Sequence, residues 1–170
     1  MRRLIAPLLA LPLPLQARDQ AIDLGLAGGY VCAADTVRYH GAGLTLDALY
    51  QLSDLFAVRA LGAHAEHRAK GEAFRVERVG VGLRFNLDVF EYVPWLEATP
   101  TWYLTTGEVP TDGAFGVAFA FGFDRLLTPH WSLGINGAYH QIIGESRYPA
   151  YLDVGVRVGY RWVFGDPFAP

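Results

Sequence analysis

The chain has 170 residues, 52% hydrophobic and 14% aromatic, enough apolar surface for one ordered domain, so a disordered chain is excluded. A formal net charge of −3 with dispersed arginines excludes a nucleic-acid footprint, and the single cysteine, Cys32, excludes a disulfide framework or a multi-cysteine metal site. Nineteen glycines and ten prolines without a repeating period indicate many turns and close backbone approaches, the profile of an all-β protein.

At the N-terminus, Arg2 and Arg3 precede an apolar stretch from Leu4 to Leu15, and Ala17 precedes the polar Arg18-Asp19-Gln20. This pattern predicts a secretory signal peptide over residues 1–17, leaving 18–170 as the mature chain. Pro7, Pro12 and Pro14 argue against a buried helix in the same stretch. Beyond it, no apolar run approaches the roughly 20 residues of a transmembrane helix, so a membrane crossing has to be made by strands.

From Ala21 onward, apolar residues recur at every second position in segments of about ten residues, the period of a strand and the length of a tilted transmembrane one. The segments fall near residues 21–33, 39–52, 55–67, 73–87, 92–105, 114–127, 131–143 and 151–164, which predicts a single closed antiparallel transmembrane β-barrel of about eight strands. In the second, Leu44, Leu46, Ala48, Tyr50 and Leu52 oppose Gly43, Thr45, Asp47 and Gln51. The third departs from the pattern. Phe56 and Val58 share one phase while Leu61, Ala63 and Ala65 share the other, which predicts a bulge near Ala60. In the fourth, Val79, Val81, Leu83 and Phe85 oppose Arg78, Gly80, Gly82 and Arg84. In the sixth, five bulky residues from Phe115 to Phe123 oppose Gly116, Ala118, Ala120, Gly122 and Asp124. The last, Leu152 to Phe164, is large and apolar at every even position and mostly charged or glycine at the odd ones. One face suits hydrocarbon and the other is polar or small.

Connections alternate in character. Those at 52–54, 87–92 and 127–130 are short, whereas those at 34–38, 67–72, 106–113 and 144–150 are more polar and generally longer, the order expected of periplasmic turns and external loops. Tyr92, Trp95, Trp131, Trp162 and Phe164 gather near one set of strand ends, and Tyr30, Tyr39, Trp102, Tyr139, Tyr148 and Tyr151 near the other, as two interfacial girdles. Specificity toward an external partner is expected to reside in the longer loops.

These features resemble the small eight-stranded outer-membrane barrels, the class of the OmpA transmembrane domain and the OmpX-like proteins, over about residues 21–164. The most specific local feature is Arg157-x-Gly159-x-x-Trp162-x-Phe164, similar to the family's C-terminal assembly signal, although Gly165 to Pro170 follow the final aromatic. The resemblance implies residence in the outer membrane, insertion by the outer-membrane assembly machinery, and contact with outer-membrane lipids and lipopolysaccharide. It implies no cofactor, and tethering through a peptidoglycan-binding domain is not expected.

Several groupings invite chemistry. His130 and Ser132 evoke the paired base and nucleophile of lipid-modifying barrels, with Glu145 as an orienting acid. His130-Trp131-Ser132 also reads as a turn entering a strand, far along the chain's path from Glu145, so no catalytic residue is assigned. His64 and Glu66 share one strand face while His67 points opposite, which leaves no full metal-ligand set. Tyr103, Asn136 and His140 are candidates for an outer lumen pocket. Gly25, Gly28 and Gly29 lack the strand-to-helix context of a nucleotide site.

The inward positions carry Asp23, Asp47, Glu97, Asp124 and Asp153 against Arg59, Arg78, Arg84, Arg157 and Arg161. In a narrow barrel these are expected to meet in one ionic layer that plugs the lumen, so that Arg84→Ala or Glu97→Ala destabilises the barrel or raises conductance. A structural or surface-interaction role is the expectation. The rivals are a lipid-modifying barrel enzyme and a soluble lipocalin-like carrier, in which the apolar face would line a cavity.

Overall fold

The computed structural model describes residues 20–33, 39–69, 72–87, 91–107, 113–144 and 150–164. The proposed signal peptide at 1–17, Glu145 and Tyr148, and the tail from Gly165 to Pro170 lie outside the described residues. Alternation at period two produces eight strands: β1 (Gln20–Ala33), β2 (His40–Gln51), β3 (Phe56–Ala69), β4 (Glu72–Asn86), β5 (Tyr92–Gly107), β6 (Gly113–Leu126), β7 (Trp131–Ile142) and β8 (Ala150–Phe164).

Each strand pairs antiparallel with its chain neighbours and β8 returns to β1, so the sheet closes without a free edge. Tracing register partners around the wall from Ile22 passes Tyr50, Val58, Leu83, Ala98, Phe119, Tyr139 and Leu152, and arrives at Cys32, ten residues further along β1. This offset is the shear of the barrel. With eight strands it imposes a strong tilt and an interior just wide enough for side chains to fill.

The links 52–55, 87–91 and 127–130 share one rim, here the turn rim. Side-chain oxygens close two of these turns: Ser53 Oγ accepts from the Phe56 amide at 3.1 Å, and Thr128 Oγ1 from the Trp131 amide at 2.9 Å. On the opposite rim, here the loop rim, the β3–β4 link is shorter than the predicted 67–72. The ladder continues to the Ala69–Glu72 pair, leaving only residues 70–71 as connection.

The bulge predicted near Ala60 is absent. Val58, Ala60 and Gly62 pair with Leu83, Val81 and Val79 in unbroken register. The mixed phase has another cause: outward positions on β3 turn polar at His64, Glu66 and Arg68, while Leu61, Ala63 and Ala65 occupy the lumen side.

Outside, the wall is an apolar band. Leu46, Val79, Val81, Leu96, Phe121, Ile135 and Val154 each leave 60% or more of their surface uncovered, and their neighbours across the register are also apolar. A water-soluble protein rarely exposes so continuous an apolar surface, whereas a transmembrane barrel must. With the phenylalanines of β6 outside and Arg59, Arg84 and Arg157 inside, the arrangement is the reverse of a lipocalin-like carrier. Phe121→Arg, in the middle of the β6 outward series, is expected to lower stability by about 2–4 kcal/mol in urea titrations of the barrel in lipid vesicles.

Candidate functional site

The inward face is built from glycine, alanine and charge, and its packing decides whether anything passes through. Asp47 on β2, Arg59 on β3, Arg84 on β4, Glu97 on β5, Asp124 on β6 and Arg157 on β8 are all buried. Arg59 bridges Asp47 at 3.1 Å and Glu97 at 3.0 Å, and Arg84 bridges Glu97 at 3.1 Å and Asp124 at 3.6 Å. Arg157 completes the circuit with Asp124 at 3.8 Å and Asp47 at 2.7 Å. Three cations and three anions thus alternate in a closed ring across the lumen.

Thr99 Oγ1 donates to Glu97 at 2.8 Å, and the Arg84 guanidinium lies 3.8 Å from the centroid of the Trp95 ring. Inward glycines make the room. A Cβ on Gly25 would meet the Arg157 guanidinium and the Asp47 carboxylate, and one on Gly134 would meet Asp124. Arg59 Nε and Arg84 Nη2 have no hydrogen-bonding protein partner, so the ring specifies a plugged geometry more than it maximises stability.

The ten charged residues read from the sequence do not form one layer; they divide into three tiers. Toward the turn rim, Arg161 grips Asp23 through two bonds of 2.9 and 3.1 Å at the edge of a vestibule of about 330 Å³. The ring, through Arg84, Asp124 and Arg157, forms the floor of that vestibule. Toward the loop rim, Arg78 and Asp153 pair at 2.9 Å. His140 is hydrogen-bonded through Nε2 to Asp153 at 2.9 Å and through Nδ1 to the Tyr103 hydroxyl at 3.0 Å, and the Arg78 guanidinium lies against the same imidazole. Asn136 shares with this cluster and the ring a residual cavity of about 30 Å³, comparable to the space of one water.

A second closure was not anticipated from the sequence. Beyond Arg78, the inward positions become mostly apolar, and Val31, Tyr39, Phe74, Val76, Tyr103, Ile142 and Tyr151 pack into a buried cap, so Tyr39 and Tyr151, like Trp95 beside Arg84, are buried in the lumen and not in the interfacial girdles expected from the sequence. His67 is inside it, stacked on Phe74 at 4.7 Å and edge-on to Tyr151 at 5.4 Å, with neither ring nitrogen hydrogen-bonded. The signal was present as a change on the inward phase, from charge or glycine to bulky apolar residues, near the loop-rim ends of β1, β4, β7 and β8.

The remaining candidates separate. His130 is in an exposed turn, its ring Nδ1 bonded to the Arg161 carbonyl at 3.1 Å and its face stacked on Tyr160, whereas Ser132 lines the vestibule. His64 and Glu66 face outward and His67 inward. Among the described residues, no group of three His, Cys, Asp or Glu side chains is arranged to hold a metal ion.

No protein-family model and no curated protein sequence matches this chain. Solved structures do. Neisserial surface protein A superposes with a TM-score of 0.67 at 14% identity, covering 85% of this chain and 97% of that one. OprG of Pseudomonas aeruginosa superposes at 0.53 with 14% identity, over 86% and 96% of the two chains. The outer membrane enzyme PagL gives 0.55 at 10% identity, over 81% and 97%. The chain has the fold of the small outer-membrane β-barrels. Because this fold is shared with proteins that include an enzyme, activity has to be argued from the lumen and the wall of the barrel itself.

Proposed function

We propose that the protein is an integral outer-membrane barrel with a structural or surface-interaction role, exported by its N-terminal segment and closed to passive flow. The observation that carries this reading is the combination of an apolar outer band with a lumen blocked twice, by the ring of six charges and by the apolar cap. The six charges of the ring pair with one another, and the cap packs side chain against side chain. Recovery in the outer-membrane fraction, with heat-modifiable migration on a gel, tests the location. Solubility without detergent would overturn it.

In this reading the turn rim faces the periplasm and the loop rim the exterior, as expected when an even number of strands starts and ends on the periplasmic side. The lipids and lipopolysaccharide of the outer membrane surround the band, and any external partner meets the loop rim. Insertion by the assembly machinery is supported by the last strand, where Trp162 and Phe164 point outward and stack at 5.8 Å while Arg157 and Gly159 face the lumen. Trp162→Ala or Phe164→Ala is therefore expected to lower the amount of folded barrel several-fold in the outer-membrane fraction, because each removes an interfacial aromatic from that pattern. Unchanged abundance of both variants would count against the assembly role.

A further inference from the structure

On one side of the barrel the outer wall is not apolar to its loop-rim end. Outward positions run Leu46, Leu44, Ala42, His40 on β2, Gly62, His64, Glu66, Arg68 on β3, and Val81, Val79, Glu77, Arg75 on β4. The charges begin at the level of the aromatic girdle: the register partner of Val79 on β5 is the exposed Trp102, and Tyr30 stacks with His40 at 6.5 Å. The next strand already presents Leu104 across from Glu77, and the far wall presents Phe115 and Leu152. Among the described residues, the outward charges at this rim are thus confined to one sector of the interface between apolar core and headgroups.

Its charges are unevenly used. Arg68 and Arg75 converge on the single carboxylate of Glu66, at 3.0 and 3.4 Å, while Glu77 is taken by His64 at 2.6 Å. The two guanidiniums share one anion between them, and their side chains remain 73% and 63% exposed. Two guanidinium forks at headgroup depth that share one carboxylate, and so keep unused donors, match the geometry of a phosphate.

A groove of about 500 Å³ is adjacent, floored by Gly41, Ala42 and Gly43 and edged by Leu44, His64 and Arg68. Toward the band, the next outward positions on β3 are Gly62 and Ala60, with Leu46 and Val79 on either side of Gly62 in the register. A Cβ placed on Gly62 would meet nothing within 4 Å. The low wall between taller apolar neighbours has the shape to take a hydrocarbon chain running down from the charged patch.

We propose that this sector binds a phosphate-bearing lipid of the leaflet it faces, its phosphate held by Arg68 and Arg75 and one acyl chain laid over Ala60 and Gly62. The inference rests on the membrane-barrel reading and adds to it a lipid class and a site. Glu66 would act as a positioning residue, aligning both guanidiniums toward one point. The phosphate then takes the bonding capacity that a shared carboxylate leaves unused.

The test is native mass spectrometry of the full chain released from phosphatidylcholine bilayers. The bilayers are doped either with a phosphorylated glucosamine glycolipid or with the same glycolipid stripped of its phosphates. The wild type is expected to retain the phosphorylated form preferentially, and retention should fall about fivefold for each arginine removed in Arg68→Ala and Arg75→Ala, the effect of a basic residue beside an anionic lipid surface. Gly62→Leu, which has open space for its side chain, should lower retention while leaving heat-modifiable migration intact, and it serves where an arginine variant fails to fold. Equal retention of the two glycolipids, or a folded double variant that retains as much as wild type, would overturn the site. A chain with no heat-modifiable form and no need for detergent would overturn the membrane reading instead.

Discussion

Glu97→Ala is expected to destabilise the barrel by about 3–5 kcal/mol, the cost of removing one partner from a buried ionic arrangement and leaving charge uncompensated. Glu97 is the anion between Arg59 and Arg84, with both contacts close to 3 Å and its own side chain 1% exposed. Without it, two buried guanidiniums lose the anion between them, and Thr99 loses its acceptor. The ring would also open at one point, with Asp47 and Asp124 left to balance three arginines. Arg161→Ala provides the comparison. Its partner Asp23 is at the vestibule and the arginine side chain is 35% exposed, so water can replace much of what is lost and the effect should stay within about 1 kcal/mol. Urea titrations of both variants in lipid vesicles decide the matter, and equal midpoints would show that the ring carries no special share of stability.

The second large effect concerns conductance. The wild type should hold a closed baseline in planar bilayers, and breaking the ring alone should not change that. From the sequence, Arg84→Ala is expected to destabilise the barrel or raise conductance, but the cap of Tyr103, Tyr151, Phe74 and Val31 fills the lumen independently beyond the Arg78 cluster. Arg84→Ala should therefore destabilise without conducting. Combining it with Tyr151→Ala, which removes a fully packed ring from beside His67, Tyr103 and His140, should thin both barriers and give resolvable unitary steps. Steady steps from wild type, or from Arg84→Ala by itself, would refute two barriers in series. A closed double variant that still migrates as a folded barrel would place the main barrier in the Arg78–Asp153–His140 tier between them.

Period-two alternation made the strand count, the closed barrel and the inward placement of charge legible in the sequence. Successive side chains on a strand must point to opposite faces, so a run such as Val154-Gly155-Val156-Arg157-Val158 declares which residues meet lipid before any partner is known. The same logic located all ten lumen charges but could not sort them. Asp153 and Arg157 are on one strand with the same facing, yet one pairs with Arg78 and the other with Asp47, 110 residues away in the chain. What sorts them is the shear. Each step to the next strand changes height on the wall, so residues that face the same lumen share a level only when the closed register brings them there. Only the tertiary structure, for that reason, could divide the charges into a mouth pair, a six-membered ring and a histidine-centred cluster. It alone could add the apolar cap, whose residues come from five or more strands, and it alone could turn the irregular phase of β3 from a supposed bulge into a straight strand with a polar outer end.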